Sequence, residues 1–106
     1  MVIDSLDIPI PFSKRHPNET IRSILRYDSG YIKDLFIRNE DIVFSSEVFE
    51  ELKRLTLGHR DNWESPATPS KNVFSDLKSY KTPYLFDFND EYIFNLHKER
   101  QERLLR

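Results

Sequence analysis

The sequence predicts a small, mostly helical α+β domain with a short antiparallel sheet or hairpin and a C-terminal helix. Three observations predict it. Apolar residues recur at helical spacing from about 20 to 58 and again after 90; period-two alternation is confined to the short runs 8–12 and 84–88; turn-forming residues separate these pieces. A chain of 106 residues is one domain's worth. Eight Phe, five Tyr and one Trp supply bulky material for a single core.

In chain order, residues 1–7 read as a loosely attached lead-in. Ile8, Ile10 and Phe12 alternate with Pro9, Pro11 and Ser13, which predicts an edge strand, because proline cannot donate to a ladder. The basic loop Lys14-Arg15-His16-Pro17 follows. Asn18 or Thr20 can cap a first helix whose inward stripe is Ile21, Ile24 and Leu25, with Arg22 and Arg26 outward. Asp28-Ser29-Gly30 separates it from a second helix, about Tyr31 to Arg38, with Tyr31, Ile32, Leu35 and Phe36 as its apolar face. Ile42, Val43 and Phe44 form a short extended piece expected to pair with the first strand.

The third helix carries the strongest start signal. Ser45 is the expected N-cap, and Phe44 before it can staple to Phe49 in the first turns. Val48, Phe49, Leu52 and Leu55 then recur at helical spacing, and Gly58 is placed to stop the helix. Residues 1–58 thus form one core unit, and 59–72, with Pro66 and Pro69, a loop or linker. Residues 73–106 complete the domain with a short helix (Val73, Phe74, Leu77), a strand over 84–88 and a final helix. Asn89 is the expected N-cap of that helix, and Tyr92, Ile93, Leu96, Leu104 and Leu105 are its apolar side. Its last turns are expected to project from the body or meet a partner.

Composition narrows the function classes. A formal net charge of −2 argues against a generally basic nucleic-acid binder and leaves room for a local patch. The absence of cysteine removes disulfides, thiolate zinc sites and a Cys nucleophile. His16, His59 and His97 lie on separate segments without metal-ligand spacing, so neither a metal site nor a cofactor is expected. Asp87, Asp90 and Glu91 read as acids at a helix start in preference to a magnesium site. No residue set marks a catalytic centre, and the chain is not expected to be an enzyme. No run approaches the roughly 20 apolar residues of a membrane helix. The stretch Met1 to Asp7 lacks the basic segment of a signal peptide, so a cytoplasmic location away from membranes is expected.

One constellation offers chemistry. Lys14, Arg15 and His16 precede a helix start, and Arg22 and Arg26 share that helix's outer face. Cationic side chains beside free backbone N–H groups suit a phosphate or another anion. The competing reading is an ordinary solvated loop. Trp63, beside Arg60, either stacks on a base or partner or pins its loop to the core. Trp63, Leu104 and Leu105 are the candidate partner-binding residues.

Roughly residues 10–57 resemble the exodeoxyribonuclease X-like C-terminal domain family. Phe12-Ser13-Lys14 and Asn18-Glu19-Thr20-Ile21 stand for its two basic-loop motifs, the run from Ile24 to Ile32 for its turn and second helix, and Phe44-Ser45-Ser46-Glu47 for its third cap. The resemblance implies a bacterial or phage-like accessory domain without nuclease activity, associated with nucleic acid or with a nuclease or replication protein. The expectation is therefore a non-catalytic binding module. The alternative is a protein–protein adaptor, or a self-associating structural protein that forms a homo-oligomer through the C-terminal helix.

Overall fold

In the computed structural model the described residues are 1–10, 14–60, 63 and 83–105, and all structural statements concern these. The elements are β1 (Val2–Ile3), α1 (Ile21–Arg38), β2 (Val43–Phe44), α2 (Ser46–Leu55) and α3 (Glu91–Leu104). The fold is α+β, but its sheet is parallel, not antiparallel: Val2 pairs with Val43 and Ile3 with Phe44. Parallel pairing needs a long crossover, and α1 supplies it.

The lead-in is accordingly structural. Ile3, Leu6 and Ile10 are buried, and the Met1 and Ile3 carbonyls accept N–H groups of Val43 and Ser45. The extended piece at 43–44 does pair, with residues 2–3 in place of 8–12. Of the expected first strand, Pro9 makes a single antiparallel bridge to Thr20, and Pro11 to Ser13 lie outside the described residues. The short helix expected over 73–77 lies outside them too, as does most of the 59–72 loop.

The two expected helices form one element, α1, broken at Asp28, whose φ of −144° and ψ of 42° are non-helical. Thr20 is the N-cap: its side chain accepts from the Ser23 N–H at 3.2 Å. Ile21, Ile24, Leu25, Ile32 and Phe36 line the inner face, and each such side chain contributes roughly 1.5–3 kcal/mol on burial.

In α2 the Ser45 hydroxyl accepts from the Val48 N–H, and the Phe44 and Phe49 rings pack 6.3 Å apart, as the staple requires. Thr56 ends this helix, and its Oγ1 accepts from the Phe88 N–H. Gly58, beyond the helix end, takes a φ of +87°, a left-handed conformation glycine tolerates.

Residues 83–88 form no strand. They lie on the α1 break, where side chains and one amide replace a strand partner. Tyr84 N–H donates to Asp28 Oδ1 at 3.1 Å, Phe86 N–H to Ser29 Oγ at 2.8 Å, and Gly30 N–H to the Tyr84 carbonyl at 3.0 Å. A Cβ at Gly30 would collide with the Tyr84 ring, so this approach requires glycine.

In α3 Asp90, not Asn89, is the N-cap, accepting from Ile93 N–H at 3.1 Å. Its final turns are tied back: Gln101 donates to the Ser46 hydroxyl and Arg103 to the Glu40 carbonyl.

Candidate functional site

The predicted anion-binding corner is held by acids. Asp28 is fully buried at the α1 break. Its Oδ2 lies 2.8 Å from His16 Nε2 and 3.3 Å from Arg15 Nε. The other imidazole nitrogen, Nδ1, lies 3.3 Å from Glu19 Oε1 and 3.2 Å from the Tyr27 hydroxyl. Tyr27 donates to Glu19 Oε1 at 2.6 Å. This hydrogen bond lowers the Glu19 pKa and pushes the Tyr27 phenol up to about 12. The phenol facing the imidazole therefore keeps its proton. His16 packs edge-on against the Tyr27 and Tyr31 rings, at 5.6 Å and 5.2 Å.

The other predicted cations divide. Arg22 pairs with acids outside the corner, with Nε 2.8 Å from Asp7 Oδ1 and Nη1 2.7 Å from Glu51 Oε1. Those hydrogen bonds raise the Arg22 pKa and lower both carboxylates. Lys14 and Arg26 are exposed, and the Arg15 side chain keeps 24% of its surface in solvent. Tyr27 is 40% exposed.

The expectation of free N–H groups at this helix start is corrected. Ile21 N–H donates to the Ile8 carbonyl and Arg22 N–H to the Leu6 carbonyl, because the incoming chain runs alongside the first turn. Ser23 N–H is taken by the cap. Any anion here would meet side chains.

Trp63 packs inward. It lies edge-on to Phe86 at 5.4 Å and Tyr92 at 6.0 Å, with the Lys33 ammonium 4.3 Å above its ring. Lys33 is fully buried, 3.0 Å from Asp34 Oδ1, which also accepts from the Tyr84 hydroxyl at 2.9 Å. Burial raises the Asp34 pKa. Of the two predicted C-terminal contacts, Leu104 is half-buried and Leu105 exposed.

Sequence reasoning missed a second polar cluster, at the outer edge of β2. His97 Nε2 lies 3.0 Å from both the N–H nitrogen and the carbonyl oxygen of Phe44. Its ring stacks on Phe49, centroids 3.9 Å apart and planes 3° from parallel. Arg100 donates to the Phe36 carbonyl at 2.6 Å and the Ile42 carbonyl at 3.1 Å. Burial pushes the His97 pKa down to about 4 and Arg100 to about 10. The available signal was the spacing Ile93, His97, Arg100, which continues the inward stripe of α3 with polar residue types.

Asp87 and Asp90 serve the chain itself: Asp87 accepts N–H groups of Gly58 and Asn89, and Asp90 caps α3. Among the described residues no three His, Asp or Glu side chains are grouped to hold a metal ion, and no helix is long and apolar enough to cross a membrane. No family model, curated protein or solved structure matches the chain.

Proposed function

We propose that this chain is a non-catalytic accessory module that binds single-stranded nucleic acid at the corner formed by the 14–20 loop and the first turns of α1. One observation carries the reading: buried Asp28 anchors Arg15 and His16 on a corner whose Lys14, Arg26 and Tyr27 are exposed. Fixed cations can neutralise phosphates, and an exposed aromatic ring offers a base a stacking face. Arg22, tied to Asp7 and Glu51, acts as a brace outside the corner. The family resemblance supports the same partner class. A net charge of −2 confines binding to this patch and makes it strongly salt-dependent.

The test is fluorescence anisotropy with a labelled single-stranded oligonucleotide at low ionic strength. Binding should weaken with salt with a log–log slope of about −2, three side-chain cations contributing about 0.7 each. Lys14→Glu with Arg26→Glu should reduce affinity at least tenfold. An oligonucleotide that fails to bind at low salt, or binds the double variant equally well, overturns the proposal.

A further inference from the structure

α3 has a second face that its own fold covers only in part: Gln101 donates to the Ser46 hydroxyl, and the Lys53 ammonium lies 5.9 Å over the Phe94 ring. Its inner side carries Tyr92, Ile93, His97 and Arg100, all buried. On the outer side Phe94, Lys98, Gln101 and Leu105 follow at spacings of four, three and four, which aligns them along one stripe. Phe94 is 48% and Leu105 38% exposed, and Lys98 and Glu102 are exposed beside them. Next to the stripe a cleft of about 90 Å³ opens between α2 and α3, lined by Phe49, His97 and Phe94, with Glu50 and Lys98 also at it. That space is far below the roughly 300–1,000 Å³ of small-molecule pockets. It suits a single aliphatic side chain.

We infer that α3 is a self-association helix and that its occupant is a second copy of this chain. The charges select the arrangement. Parallel pairing in register would oppose Lys98 to Lys98 and Glu102 to Glu102. Antiparallel pairing about a two-fold axis level with position 100 places Lys98 against Glu102 of the second copy, and Glu102 against that copy's Lys98. The same register brings Leu105 of each copy beside Phe94 of the other, at the mouth of the cleft. An isologous contact of this kind closes at two copies. The stripe from Phe94 to Leu105 is about 17 Å long at about 1.5 Å per residue. One helix length lies at the small end of specific interfaces, so the dimer is concentration-dependent, not permanent.

Sedimentation equilibrium of the full chain, from about 1 μM to about 1 mM, reads the result directly. The expected behaviour is a monomer–dimer equilibrium. Phe94→Glu should weaken it at least tenfold, and Lys98→Glu about tenfold, since both symmetry-related pairs become repulsive. Adding Glu102→Lys to Lys98→Glu should restore the original constant. These side chains are exposed, and the charge swap provides a readout independent of Phe94. A monomer at every concentration, an oligomer larger than two, indifference to Phe94→Glu, or a double swap that fails to restore association would each overturn the inference. The corner at Asp28 does not enter this test, so oligonucleotide binding and self-association stand or fall separately.

Discussion

Among the described residues two buried histidines, His16 and His97, each sit beside an arginine, and they are held by opposite means. At the corner both imidazole nitrogens of His16 face carboxylates, Asp28 and Glu19, and Arg15 shares Asp28. At the β2 edge His97 faces the Phe44 backbone and lies on the Phe49 ring, while Arg100 meets two backbone carbonyls and lies 4.1 Å over the Phe36 ring. His97 stands where a third strand would bond, so α3 closes a sheet edge with side chains. The corner is held by charge and keeps part of its arginine in water. The edge is held by desolvated contacts to neutral partners. A surface that must meet a charged partner fits the first arrangement, and a structural closure fits the second.

Removing the shared acid breaks the comparison most directly. Asp28→Ala leaves His16, Arg15 and the Tyr84 N–H without their common acceptor inside the protein. Loss of one member of a buried ionic group typically costs about 3–5 kcal/mol, and urea unfolding should show a loss of that size. A loss below about 1 kcal/mol would mean that Asp28 does not hold the corner.

The β2 edge should reveal itself through pH. His97 is pushed from an ordinary value of 6.5 to about 4. Between those values the unfolded chain holds a proton at this residue that the folded chain does not, so stability falls as pH falls through that window. The full difference is about 3 kcal/mol. Glu19, Glu51 and Asp7, whose values are lowered, lose their contributions at lower pH, within the carboxylate range. His97→Gln should flatten the dependence between about pH 6.5 and 4.5 in denaturation curves recorded across pH. An unchanged slope would assign it to other groups.

A smaller effect tests how the corner receives the 83–88 segment. Gly30→Ala sets a methyl group against the Tyr84 ring, and overpacking of this kind costs about 1–3 kcal/mol. Tyr84→Ala in the same background should recover part of that loss if the clash is its cause. Additive losses in the double-variant cycle would reject the contact.

The contrast also explains what the sequence made legible. Local signals were readable: Thr20 and Ser45 as caps, the Phe44–Phe49 staple and the inward stripes of α1 and α2. Each depends on neighbours within a few positions. The sheet was not readable in its true form, because Val2–Ile3 and Val43–Phe44 are two residues each and show no periodicity. The lead-in therefore looked dispensable. Asp28 resembled punctuation between helices, because turn-forming residues give the same signal whether a helix stops or only breaks. Its role as a buried acceptor depends on Tyr84, 56 positions away. Lys33, His97 and Arg100 were missed because their residue types imply exposure while their spacing implies burial. At the corner, the cationic residues were identified but their acidic partners were not.

The smallest prediction compares the two helix starts. Ser45 and Thr20 each accept one N–H, from Val48 at 3.3 Å and Ser23 at 3.2 Å. Loss of such a cap costs about 1 kcal/mol in a typical helix. The surroundings differ, however. At α1 the Leu6 and Ile8 carbonyls bind two further first-turn N–H groups, so the passing chain fixes the helix start without the Thr20 hydroxyl. Ser45→Ala should therefore cost about 1 kcal/mol and Thr20→Ala about half as much, both read from urea midpoints at constant slope. Equal costs would mean that the Leu6 and Ile8 contacts add nothing to the start of α1. The corner would then rest on Asp28 alone.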